Sequence, residues 1–197
     1  MSFWDDRYRG DNYAYGTEPN DFLRASVSRI PLGRVLCLAE GEGRNAVYLA
    51  ARGYAVTAVD LSAEGLRKAE RLARERGVVV ELVQADLTSY ELPGDLAGVV
   101  SIFAHVPAVS RQRLHAQIPA ALRPGGAFVL EAYRPEQLAF NTGGPRDAAL
   151  LPTLADLRRE LASLTLVVAQ EVEREVQEGN YHCGRSATVQ VVGLKPD

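Results

Sequence analysis

Residues 35–60 read VLCLAEGEGRNAVYLAARGYAVTAVD. The stretch opens on a short apolar run and turns at Gly41 and Gly43. It continues with a helical pattern over Asn45–Arg52, stops at Gly53, and ends in a second apolar run closed by Asp60. That order is strand, glycine turn, helix, strand, and an acid at the second strand's end. Glycines at such a turn let a ligand approach backbone amides closely, and a strand-end carboxylate can accept bonds from ribose hydroxyls. The unit predicts an α/β fold that binds a nucleoside-containing cofactor.

Working outward, strand signals recur at 34–39, 55–60, 79–84, 98–103 and 127–132, each rich in Val, Ile or Leu. Near-continuous apolar runs of this kind belong to parallel strands covered on both faces. Helical patterns fall between them. Pro19 suits a first helical turn before Phe22, Leu23, Val27 and Ile30. Ser62 can cap a helix running to Gly77, and Ser110–Leu122 forms another that Pro119 should weaken or kink. Thr153 and Asp156 have the spacing of a capping box.

Beyond that cap the pattern changes to alternation. Thr165–Gln177 and Gly184–Lys195 read as two long strands joined by EGNYHCG, an antiparallel hairpin. The expected fold is therefore α/β: a Rossmann-like, doubly wound, mostly parallel seven-stranded sheet ending in an antiparallel β-hairpin. One domain is expected over 1–197. Within it, 1–32 would be an N-terminal arm and helix forming a candidate lid, 33–133 a cofactor-binding core, and 134–197 a loop, helix and hairpin on the acceptor side.

Composition narrows the function. The 197 residues carry a formal charge of −3, which supplies no general attraction to nucleic acid or an anionic membrane. No apolar run reaches the roughly 18 residues of a bilayer span, and MSFWDDRYRG shows no signal-peptide core. The two cysteines, Cys37 and Cys183, make neither a disulfide framework nor a metal cluster. A cytoplasmic protein without a metal, acting on a small molecule rather than nucleic acid or membrane, is the expectation.

Five segments in order carry a family resemblance: VLCLAEGEGRNA, AVTAVD, VQADL, VVSIF and LRPGGAFVLEAY. Together they resemble the class I S-adenosylmethionine-dependent methyltransferases. EGEGRNAVYLA, with WDDRY and YGTEPNDFL near the N-terminus, is similar to the small tellurite-resistance branch related to thiopurine methyltransferases. The resemblance implies S-adenosyl-L-methionine as cofactor and methyl transfer by in-line displacement to a small-molecule acceptor. It departs from the family at Cys37, where the first strand usually carries an acid, and at Ala39, which replaces the first glycine of the loop. Glu40 is then the candidate anchor for the methionine ammonium.

Residue by residue, the resemblance assigns cofactor contacts to Ala39, Glu40, Gly41, Gly43 and Asn45 in the loop, to Asp60 and Leu61 after the second strand, and to Asp86 and Leu87 after the third. Asp60 would hold the ribose, and Asp86 and Leu87 would meet the adenine. Phe103 would lie beneath the methionine part, and Tyr15 and Gly16 read as a lid over the cofactor or as ordinary packing of an N-terminal arm. His105 could act as a general base, or be a hydrogen-bonded structural residue. His182 and Arg185, near the hairpin turn, are candidates for positioning the acceptor, or belong to a solvated turn. Segment 134–146, RPEQLAFNTGGPR, would shape the acceptor site.

The loop also fits the dinucleotide pattern G-x-G-x-x-G/A, with Asp60 at about the spacing of a ribose acid. An NAD-dependent reductase is thus the enzymatic alternative, and a non-catalytic S-adenosylmethionine-binding protein a third reading. Charge separates the first two. A pyrophosphate at the helix N-terminus would face Glu40 and Glu42, whereas a sulfonium and an ammonium suit acidic neighbours; the same two acids also suit the helix dipole. With Lys68 and Lys195 the only lysines, no Tyr/Lys hydride-transfer pair is evident.

Overall fold

The computed structural model describes residues 3–197; Met1 and Ser2, the start of the expected N-terminal arm, lie outside the described residues. The 35–60 unit folds as read. β1 (Arg34–Leu38) leads through the glycine loop into α3 (Arg44–Ala50), and β2 (Ala55–Asp60) returns parallel to β1. α4 (Ala63–Glu75) follows, with the Ser62 hydroxyl accepting from the Gly65 amide as its N-cap. β3 (Glu81–Gln84), β4 (Leu96–Ile102), α5 (Ala108–Ala121) and β5 (Leu122–Tyr133) continue the alternation.

The strand order is β3-β2-β1-β4-β5-β7-β6, with β5 paired antiparallel to β7 (His182–Leu194) and β7 antiparallel to β6 (Thr165–Glu178). This is the expected Rossmann-like sheet with its terminal hairpin. The order reverses at β1 and β4, which are parallel neighbours. In open α/β sheets ligands bind in the crevice at the carboxyl ends of such a switch point. β4 is buried at every residue, consistent with its unbroken apolar run. Two apolar clusters fill the opposite faces of the sheet: Leu36, Val99 and Phe128 belong to one, Val35, Cys37 and Val129 to the other.

Several boundaries shift. α1 (Phe3–Tyr8) appears in the segment read as irregular, because six residues are too few to display a helical period. α2 (Asp21–Ser26) begins after Pro19, at an Asn20 N-cap whose side chain accepts from the Leu23 amide. α5 continues through Pro119 but ends two residues later, so the lost amide bond falls in its last turn. α6 (Leu154–Glu160) carries the expected Thr153–Asp156 capping box. The hairpin strands run further than expected, into EGNYHCG itself, so that His182 joins Arg185 as a strand residue. Among the described residues no helix is long and apolar enough to cross a membrane.

Candidate active site

A cavity of about 780 Å³ opens at the carboxyl ends of β1, β2 and β4, within the usual range for small-molecule sites. Ala39 (φ 49°), Phe103 (φ 53°) and Asn141 (φ 61°) line it, three of the four non-glycine residues with left-handed backbone among those described. Each such residue costs of order 1–3 kcal/mol and persists only where its surroundings hold it. Backbone strain is thus concentrated around this cavity.

The end of the cavity expected to hold a cofactor is built from the 35–60 unit and the ends of β2 and β3. Ala39, Glu40, Asn45, Asp60, Leu61, Asp86, Leu87 and Phe103 all line the cavity, as do Tyr15 and Gly16. Asp60 is buried, and each carboxylate oxygen accepts one backbone amide: Oδ2 from Gly41 and Oδ1 from Ser62, both at 2.8 Å. A carboxylate has about four lone-pair sites, so acceptor capacity remains. Burial pushes the Asp60 carboxyl above its ordinary range despite those amides. Asp86 is exposed, and the Thr88 amide bonded to it lowers its pKa.

Gly41 and Gly43 do not line the cavity. A Cβ on Gly41 would meet the Tyr8 hydroxyl at 2.6 Å, and one on Gly43 would meet the Ala69 Cβ at 2.6 Å. The glycines admit α1 and α4 to the loop. Their φ values of 62° and 89° independently require glycine.

Glu40 and Glu42 have separate tasks. Glu40 Oε1 accepts from the Asn45 and Ala46 amides at 2.8 and 2.7 Å, closing the N-terminus of α3. Burial raises its carboxyl to about 7, against the pull of those amides and Arg44. Glu42 pairs with the buried Lys68 ammonium at 2.5 Å and accepts from the Ala14 and Tyr15 amides. It docks the N-terminal segment on the core.

The far end of the cavity is aromatic. Phe103 stacks on Tyr133 with centroids 4.5 Å apart, and the His182 ring lies edge-on to Phe103 at 4.7 Å and tilted against Tyr15 at 4.5 Å. His105 and His182 both line the cavity, yet they differ chemically. His105 Nε2 accepts the Tyr133 amide at 3.1 Å, which places its proton on Nδ1 and occupies its lone pair. Burial, with His182 nearby, drives its pKa down to about 3.

Among the described residues the buried His182 Nδ1 has no hydrogen-bond partner and stands 3.8 Å from Glu178 Oε2. Burial lowers its pKa, with Arg44 and Arg7 adding to the effect and Glu178 opposing it. Burial alone would raise Glu178, but His182 and Arg44 overcome it and hold the carboxyl at about 2. A neutral imidazole is therefore backed by an ionised carboxylate.

Arg185, expected beside His182, is not brought to the cavity. Three residues apart on one strand, the two side chains project from opposite faces. Arg185 instead bonds Glu173 at 2.6 Å on the exposed side of the hairpin.

The residues behind His182 escaped the sequence. Glu178 is held by Asn20 Nδ2 at 2.8 Å and by Arg44 Nη2 at 2.6 Å. Asn20 also bonds Glu131, which accepts from Arg174 and Gln190. This buried network joins the α2 and α3 N-termini to β5, β6 and β7. Arg44 itself lies inside the EGEGRN motif, and nothing in the motif says that its partner is Glu178. Its Nη1 is buried with no partner.

These features fit S-adenosylmethionine. A buried acid set suits its cations and opposes a pyrophosphate, Asp60 retains acceptor capacity for ribose hydroxyls, and the unsatisfied Arg44 Nη1 suits a carboxylate.

Residues 35–126 match the family model described as a methyltransferase domain. Among curated proteins, the chain is 29% identical over 134 residues to a glycine/sarcosine N-methyltransferase of Halorhodospira halochloris. The match covers 65% of this chain and 49% of the relative, so the chain spans about half the length of the relative it matches. Among solved structures, the fold is similar to a protein of echinomycin biosynthesis described in the conversion of a disulfide bond into a thioacetal group (TM-score 0.77, 20% identity, 98% of this chain and 90% of that one). It is also similar to an S-adenosylmethionine-dependent methyltransferase of Clostridium acetobutylicum (TM-score 0.70, 15% identity, 98% and 96%) and to TehB of Haemophilus influenzae (TM-score 0.73, 15%, 98% and 66%). Residues 35–126 thus resemble a methyltransferase domain, and the likeness to the solved structures shows a shared fold.

Proposed function

We infer that the chain transfers a methyl group from S-adenosylmethionine to a small-molecule acceptor at the hairpin end of the cavity, with His182 as general base. One observation carries this reading. A single cavity joins an acidic end, where Asp60 keeps acceptor capacity, to an aromatic end, where His182 is neutral and backed by the ionised Glu178. The likeness to TehB supports a place near the tellurite-resistance branch. The glycine/sarcosine N-methyltransferase relative supports a small acceptor.

In this reading Asp60 holds the ribose, and Asp86 and Leu87 meet the adenine. Arg44 Nη1 takes the methionine carboxylate, and Glu40 Oε2 is available to the ammonium. Tyr15, Gly16, Ala39 and Phe103 enclose the remainder. When bound, the cofactor supplies an already activated sulfonium methyl. The protein contributes orientation and exclusion of water, which in well-aligned systems correspond to effective molarities of about 10⁵–10⁸ M. The acceptor atom would take the methyl carbon as its bond to sulfur breaks, leaving the electron pair on sulfur, and His182 Nε2 would take the acceptor's proton. Glu178, 3.8 Å from Nδ1, stabilises by its charge the imidazolium that forms. His105, with its lone pair bonded to the Tyr133 amide, fixes the wall instead.

Calorimetry with S-adenosylmethionine, S-adenosylhomocysteine and NAD tests the reading. Both sulfur compounds should bind and NAD should not, and Asp60→Ala should weaken the sulfur compounds by about 1–3 kcal/mol. Tight NAD binding without a response to either sulfur compound would overturn it.

A further inference from the structure

Charge within the cavity is segregated, and this bears on the acceptor. Its four lining acids, Glu40, Glu42, Asp60 and Asp86, all lie at the carboxyl ends of β1–β3. The end formed by α1, the 141–146 loop and the hairpin tip carries Arg7 and Arg146 and no lining carboxylate. Among the described residues neither arginine has a carboxylate partner, whereas the third lining arginine, Arg44, is paired with Glu178.

Arg7 is also held in place. One guanidinium nitrogen donates to the Tyr15 hydroxyl at 3.2 Å, and the group lies over the Tyr181 ring, 4.0 Å from its centroid. It stands close enough to His182 to depress that ring's pKa. A guanidinium stacked on an aromatic face is preorganised and keeps donors for a planar anion. Phe103, Val106, Leu138 and Leu150 supply apolar wall to the same cavity.

We propose that the methyl acceptor is a planar, apolar carboxylate bearing a hydroxyl, its anionic group held by Arg7 with help from Arg146 and its hydroxyl directed to His182. The proposal rests on the methyltransferase reading and narrows the acceptor within it. Arg–carboxylate pairing is bidentate and geometrically specific, so Arg7 sets both affinity and the orientation of the ring. In the transfer, the acceptor hydroxyl would lose its proton to His182 Nε2 and its oxygen would take the methyl carbon as the sulfonium's sulfur–carbon bond breaks with the pair left on sulfur, while the carboxylate at the other end stays unmodified.

The test uses the full chain saturated with S-adenosylhomocysteine, titrated calorimetrically with 4-hydroxybenzoate and with its neutral isostere 4-hydroxybenzamide. The acid should bind at least about tenfold more tightly than the amide, as expected for a charged hydrogen bond. Added salt should weaken the acid and leave the amide unchanged. In Arg7→Met the acid-to-amide ratio should fall to near one, with unaltered S-adenosylhomocysteine affinity reporting an intact fold. Equal binding of acid and amide, failure of the acid to bind, or a preference that survives in both Arg7→Met and Arg146→Met would overturn the proposal. Failure of S-adenosylhomocysteine to bind at the first step sinks the parent reading instead, so the two failures are distinct.

Discussion

The two ends of the cavity are built in different ways. The cofactor end is local in sequence: a glycine loop and three strand ends, contributed between Leu38 and Leu87, with each acid placed by the strand that precedes it. The hairpin end is assembled from afar. Arg44 and Glu178 meet across 134 positions, Asn20 and Glu178 across 158, and His182, the proposed base, arrives on the last strand. The first end repeats what any nucleoside site of this fold needs. The second is where chemistry and acceptor choice are expected to reside.

The sharpest way to break the comparison is to remove each histidine in turn. His182→Gln should lower kcat by about 10²–10⁴-fold, the usual contribution of a positioned acid or base, with cofactor affinity unchanged. His105→Gln should spare the chemical step and act through stability, because its ring nitrogen is spent on the Tyr133 amide. Steady-state rates set beside thermal unfolding of the two variants distinguish these outcomes. Equal losses of kcat would show that the aromatic end works as one wall, without a dedicated base.

Glu40 probes the cofactor end by pH. Folding raises its pKa from 4.5 to about 7 through burial, so between those values the folded chain retains a proton that the unfolded chain has released. The contribution to stability is full below about pH 4.5 and falls as pH rises, by up to about 1.4 kcal/mol per pH unit, until about pH 7. Glu40→Gln keeps an oxygen for the Asn45 and Ala46 amides and should flatten that decline. Chemical denaturation of both proteins between pH 4.5 and 7.5 checks it, and parallel curves would mean that Glu40 ionises freely in the fold.

Glu178 is the corresponding probe at the other end. Its negative charge raises the His182 pKa against burial, so Glu178→Gln should move the acid limb of the pH–rate profile to lower pH while lowering kcat about tenfold. A merely structural role would reduce the amount of folded enzyme without moving the limb. Substitution of Arg44, the partner that holds Glu178 at 2.6 Å, should lower kcat as well and in addition weaken cofactor binding.

How much was legible follows the same division. The strand–loop–helix–strand unit, the seven-stranded sheet and the capping residues Ser62 and Thr153 were readable because each depends on neighbours in the chain. The glycines were recognised as obligatory, but not for their reason. A sequence shows that Gly41 and Gly43 admit something close, and only the fold shows that Tyr8 and Ala69 occupy the space. The Glu178 network was not readable at all, since EVQEGNYHCG looks like a polar strand and turn until Asn20, Arg44 and Glu131 are folded against it.

Arg185 measures that boundary with the smallest expected effect. Placing the turn across 178–184 put His182 in it with Arg185 just beyond, but β7 begins at His182 and the pleat turns the two side chains apart. Arg185 therefore meets Glu173 on the exposed face, an ion pair of the kind that contributes about 0–1 kcal/mol. Arg185→Ala should leave kcat, KM and cofactor affinity within about twofold and shift stability by less than about 1 kcal/mol. Turnover and denaturant unfolding of that variant, run beside His182→Gln, test whether two residues three positions apart on one strand differ in rate effect by two orders of magnitude or more. A large kinetic loss in Arg185→Ala would mean that the acceptor reaches around the hairpin to its outer face, and that the aromatic end of the cavity is only part of the site.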